Sequence, residues 1–64
     1  MRSVMRSIKV LVVDDSIVFR ELLVQNLSKD PDIQIVATAG DPFAARDAIL
    51  AHHPDVMTLD IELP

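Results

Sequence analysis

Ile8-Lys9-Val10-Leu11-Val12-Val13-Asp14-Asp15-Ser16 is the stretch on which the fold turns. From Ile8 to Val13 it is rich in β-branched residues and nearly unbroken in apolar character, which predicts a strand. A strand apolar on both sides belongs in a parallel sheet with helices over both faces. The run stops abruptly at Asp14-Asp15-Ser16, where two carboxylates and a hydroxyl replace it.

Downstream the periodicity changes. Over residues 17–29, Phe19, Leu22, Leu23 and Leu27 recur at helical spacing as one apolar stripe, with Arg20, Glu21, Gln25 and Ser28 elsewhere on the wheel. Asp30-Pro31-Asp32 ends this helix, since proline disfavours helical geometry in the residue before it. Residues 33–39 form a second strand, and Gly40 a turn. Asp41 stands at the N-cap of a second helix with Pro42 at its first position. That helix reaches about His52, with Ala45, Ala48, Ile49 and His52 as its stripe and Pro54 closing it. Residues 56–59 make a third strand that ends at Asp60, followed by the start of a loop. Helices linking successive strands imply parallel pairing through right-handed crossovers. Upstream, residues 1–7 are expected to be a flexible leader, with Met5 as an alternative start.

Composition narrows the function classes. The chain has 64 residues, half of them apolar, with no cysteine. Disulfides are therefore excluded, and a reducing compartment fits. Ten acidic residues against six basic give a formal net charge of −4, which argues against nucleic acid as a direct partner of this segment. The longest apolar run, Val10 to Val13, is far short of the roughly 20 residues needed to span a bilayer, so no membrane insertion is expected. The basic N-terminus lacks the apolar region of a secretory signal, and a cytoplasmic location is expected.

Three acids stand apart from the rest. Asp14 and Asp15 follow the first strand, and Asp60 ends the third. Ligands of open α/β sheets bind outside the carboxyl ends of strands, where strand order reverses. If the order is 2-1-3, strands one and three are neighbours about 4.8 Å apart, and the three carboxylates converge on one crevice. Three ionised carboxylates there repel one another, and a divalent cation relieves the repulsion. Oxygen-only ligands suit Mg2+, and one carboxylate can serve as nucleophile, so the pattern suggests metal-assisted phosphoryl transfer to aspartate. An Asp pair after a strand also serves as a helix cap or loop solubiliser, and spacing alone leaves both readings open. His52-His53 raises the thought of a metal site, but adjacent helical residues point in different directions, and a surface helix end is the plainer reading.

Val12-Val13-Asp14-Asp15-Ser16, with Arg20 after it, resembles the opening of bacterial response-regulator receiver domains. The segment Pro54-Asp55-Val56-Met57-Thr58-Leu59-Asp60-Ile61-Glu62-Leu63-Pro64 resembles their phosphorylation segment. More narrowly, Asp41-Pro42 with Ala45-Arg46, and Thr58-Leu59-Asp60-Ile61-Glu62, are similar to the chemotaxis protein-glutamate methylesterases, the CheB family. Leu63 departs from the methionine usual before that proline.

The resemblance implies an α/β, flavodoxin-like (CheY-like) parallel three-layer sandwich, of which residues 8–64 form the first β-α-β-α-β portion, order 2-1-3. It implies Asp60 as the acceptor of a phosphoryl group from a CheA-like chemotaxis histidine kinase. It implies Mg2+ held by Asp15 and Asp60 side chains and the Glu62 backbone carbonyl, with Asp14 acting largely through a metal-bound water. Thr58 and the Glu62 side chain are subfamily marks without assigned chemistry. Further implied partners are a methylesterase domain in the same parent chain and, through it, chemoreceptors. The Ser or Thr and the Lys that the family uses after its fourth and fifth strands, and the esterase serine, do not occur in these segments. These 64 residues alone are accordingly expected not to fold as a stable unit, strand three being an unprotected edge. Alternatives are a receiver of a stand-alone or DNA-binding regulator, and a pseudo-receiver that only binds a partner.

Overall fold

The computed structural model describes residues 7–61. Five elements follow in order: β1 (Ile8–Asp14), α1 (Ile17–Leu27), β2 (Ile33–Ala39), α2 (Pro42–His52) and β3 (Val56–Asp60). The strands form one parallel sheet, as the sequence pattern predicts, in the order β2-β1-β3 that the family resemblance implies. The expected leader, residues 1–7, lies outside the described residues apart from Ser7.

β1 is central because it can be buried on both faces. Leu11, Val12 and Val13 are fully buried, and Val10 nearly so. Leu11 and Val13 face α2 and cluster with Ala39 and Ala45, with Ala37, Ala48 and Ile61 packed against them. The alanines bring helix and sheet close together. By strand alternation, Val10 and Val12 face α1.

β2 does not run straight along β1. Val10 pairs with Ile35, but Leu11 pairs with Ala37, so Val36 is an extra residue in a β-bulge. The bulge inverts the side-chain phase. Ile33 and Ile35 share the α1 face, whereas Ala37 and Ala39 share the α2 face.

The helix starts follow local chemistry. Ser16 caps α1, its Oγ accepting from the Phe19 N–H at 3.4 Å. Asp41 caps α2 more firmly, its Oδ1 accepting from the Ala44 N–H at 2.8 Å, with Pro42 in the first turn.

The helix ends differ in detail from expectation. α1 stops at Leu27, two residues early, because Ser28, Lys29 and Asp30 turn tightly with N–H groups donating to Val24, Asn26 and Leu27 carbonyls. α2 is closed by His53, not by Pro54 itself. His53 adopts the left-handed conformation (φ 47°, ψ 60°), and its N–H donates to the Ile49 carbonyl at 2.9 Å. Pro54 contributes to His53 leaving the helix, since it disfavours right-handed helical geometry in its predecessor.

The apolar stripe expected on α1 is rotated. Phe19 is 63% exposed and Leu22 48% exposed. The half-buried positions are Arg20, Leu23, Val24 and Leu27. Arginine takes a sheet-facing position because its stem can lie along apolar surface while its head reaches a polar partner. On α2, Ala45 is buried and Ala48 half-buried as expected, but Ile49 and His52 are exposed.

Candidate functional site

The site forms where β1 and β3 end together. The β1–β3 register sets Asp14 directly opposite Asp60. One residue further on, the Asp15 N–H donates to the Asp60 carbonyl at 3.3 Å, extending the ladder into the turn. Asp14, Asp15, Ser16, Phe19 and Asp60 line one crevice of about 240 Å³.

The three acids are not equivalent. Asp14 is only 4% exposed. Its Oδ1 accepts from the Ser16 N–H at 2.9 Å, so the buried carboxylate is tied to the N-cap residue of α1. Such a bond offsets part of the cost of burying charge. Asp15 and Asp60 are exposed to the crevice mouth. Among the described residues, no three acidic, histidine or cysteine side chains are gathered into a ready-made metal cage. The three carboxylates expected to converge on one crevice do line one, but the described side chains are not grouped as metal ligands. Glu62 lies outside the described residues.

The donor chemistry still fits Mg2+. That ion keeps several waters and typically takes one or two protein carboxylates, so it needs no closed protein cage. Two exposed carboxylates on adjacent backbone positions, with a third buried behind them, form an oxygen-only set of this kind.

Sequence reasoning missed three features here. Ser16 joins the acidic turn to α1 as its cap. Phe19 lines the crevice and does not enter the core. Arg20 reaches back from α1, and its Nη1 donates to the Asp14 carbonyl at 2.7 Å. The first two have a visible signal in Asp-Asp-Ser followed by a helical run; the third has none in periodicity. Thr58 Oγ1 is buried with no hydrogen-bond partner among the described residues. His52 and His53 sit at the opposite end of the sheet from the acids, where the Lys9 ammonium donates to the His52 carbonyl at 3.3 Å. A larger apolar groove of about 490 Å³ runs between α2 and β3 and touches the acids only at Asp60.

Comparison with known proteins agrees with this geometry. Residues 10–64 match the family described as the response regulator receiver domain. The chain is 58% identical over 60 residues to protein-glutamate methylesterase/protein-glutamine glutaminase 2 of Syntrophomonas wolfei, covering 94% of this chain and 18% of that protein. It is 63% identical over 59 residues to the corresponding protein 4 of Anaeromyxobacter dehalogenans, covering 92% of this chain and 17% of that protein. The chain thus spans less than a fifth of the length of these relatives. Among solved structures, the signal receiver domain of the response regulator NarL from Mycobacterium tuberculosis superposes with a TM-score of 0.84 at 41% identity, over 92% of this chain and 48% of that one. Strand order, the facing aspartates and the family match lead to one conclusion: the chain belongs to the response regulator receiver domain family.

Proposed function

We propose that residues 8–64 are the N-terminal portion of a receiver that takes a phosphoryl group on Asp60. The carrying observation is the register that sets Asp60 opposite Asp14 at the mouth of a crevice shared with Asp15. Asp60 is the acid of the three that is both exposed and at a strand end, which suits a nucleophile. A carboxylate oxygen of Asp60 bonds to phosphorus while the phosphorus–nitrogen bond of a donor phosphohistidine breaks. The electron pair stays on an imidazole that carries a proton on its other ring nitrogen, leaving neutral histidine and an acyl phosphate on Asp60. Asp15 and Asp60 side chains and the Glu62 backbone carbonyl would hold Mg2+, with Asp14 contributing through water. When bound, the cation offsets the crowding of negative charge as the phosphoryl group arrives.

The parent is proposed to be a chemotaxis protein-glutamate methylesterase, with a CheA-like histidine kinase as donor and a cytoplasmic location. The support is the identity to the proteins so named and the Thr58-to-Glu62 motif. Among the described residues no helix is long and apolar enough to cross a membrane. Phosphorylation would relieve inhibition of an esterase domain that acts on methylated receptor glutamates, making chemoreceptors the downstream partners. The likeness to a receiver from a differently named regulator supports a second reading, in which the same chemistry serves another output.

The test is labelling of the whole protein with Mg2+ and acetyl phosphate, located by peptide mass spectrometry. Label is expected on Asp60 and lost in Asp60→Asn. Equal labelling of Asp60→Asn would exclude the assignment. Sequence downstream of Pro64 encoding an esterase domain with a catalytic serine would favour the methylesterase reading, and a helix-turn-helix the other.

A further inference from the structure

We infer that Arg20 is a positioning residue for the acidic turn, holding Asp14-Asp15 in the geometry that binds a divalent cation, and that Gly40 is glycine in order to seat it. The inference deepens the phosphoacceptor reading and rests on it.

The backbone around Asp14 has two sides. Toward β3 the turn is held by the ladder and by the Asp15 N–H on the Asp60 carbonyl. Toward β2 the pairing stops at Val13 and Ala39, one residue short of Asp14. The Asp14 carbonyl would lack a partner there. The Arg20 guanidinium supplies it from α1, with an Nη1 contact of 2.7 Å, at the short end of the range for a charge-assisted bond. Arg20 thus takes the place of the next β2 amide and closes the open flank of the turn.

The seat for that guanidinium is Gly40, at the end of β2. A Cβ built on Gly40 would lie 2.8 Å from Arg20 Nη1, 3.7 Å from its Cζ and 4.0 Å from the Asp14 carbonyl oxygen. Gly40 has no positive φ, so its backbone suits other residues. What forbids a side chain is space, and the atom in the way is the far end of Arg20. Arg20 can shift to admit a Cβ, at the expense of its short bond to the Asp14 carbonyl. Arg20 and Gly40 therefore act as one unit from different elements. A sheet-facing arginine on α1, otherwise out of place beside Leu23, Val24 and Leu27, is explained by this task.

The experiment uses the whole protein. Mg2+ affinity is measured by calorimetry without phosphodonor, and Asp60 labelling by acetyl phosphate is followed as a function of Mg2+. Arg20→Ala and Gly40→Ala are each expected to weaken Mg2+ about tenfold, the scale set by losing a group that orients a metal ligand. Labelling at saturating Mg2+ should stay within about twofold of wild type, separating affinity from chemistry. Arg20→Lys should recover part of the loss, and Arg20→Ala with Gly40→Ala should be no worse than Arg20→Ala alone. Unchanged Mg2+ affinity in Gly40→Ala, which retains the arginine and its packing, would overturn the inference. So would additive losses in the double variant. If wild type binds Mg2+ with these shifts but is not labelled on Asp60, the positioning role stands and the phosphoacceptor reading alone fails.

Discussion

Leu11→Ala should be among the most damaging substitutions in the sheet, and its cost can be worked from its surroundings. Leu11 is fully buried on the central strand and faces Ala39 and Ala45, with Ala37 and Ala48 beside them. Removing three carbons forfeits about 2.4 kcal/mol of transfer free energy at ~0.8 kcal/mol per methylene. Alanine neighbours have no side-chain length with which to refill the space, and β1 is fixed by strands on both sides. A residual hole of roughly 50 Å³ adds about 1.2 kcal/mol at ~24 cal/mol per Å³. The sum, about 3.6 kcal/mol, corresponds to roughly a 400-fold loss of protection at ~1.4 kcal/mol per decade. Amide hydrogen exchange of β1 in the whole protein reads this directly, because core-strand amides exchange through the larger openings. Leu23→Ala, half-buried on α1, serves as the control and should cost about 1 kcal/mol, in line with ordinary partly buried sites. If Leu11→Ala reduces protection no more than Leu23→Ala does, the packing described between β1 and α2 is wrong.

Asp41→Ala removes the acceptor for the Ala44 N–H and should destabilise α2 by about 1 kcal/mol, seen as faster exchange in its first turn. His53→Gly relieves a left-handed residue and should stabilise the α2–β3 connection by about 0.5–1 kcal/mol, whereas His53→Val should cost more than that; urea midpoints of the two variants should move in opposite directions. Chelating divalent cations with EDTA should stop Asp60 labelling by acetyl phosphate, and adding Mg2+ should restore it; labelling that persists in EDTA would remove the cation from the proposal.

Much of the architecture is legible in the chain because the decisive signals are local. The Ile8–Val13 run fixes the buried central strand, and Asp41-Pro42 fixes the start of α2 through a side-chain bond and a preset φ. The acidic positions at the ends of β1 and β3 are equally plain. What escapes is long-range. Arg20 reads as a solvent residue on a helical wheel, yet its head is committed to a carbonyl six residues earlier. That commitment turns the face of α1 and leaves Phe19 and Leu22 outside. The Val36 bulge depends on how β2 pairs with β1, which no property of residues 33–39 announces. Asp14 reads as one of a matched pair, but its burial and its bond to Ser16 set it apart from Asp15.

The bulge also makes β2 a strand with two masters. Its first half contributes isoleucines to one helical layer and its second half contributes alanines to the other. Val36 is thus the surplus residue: without it, Ile35 and Ala37 would follow one another opposite Val10 and Leu11, and the alanines would stay beneath α2. Losing a second residue at the same point would carry Thr38 beneath α2 and turn the two alanines toward α1. The segment therefore has one residue to spare and no more.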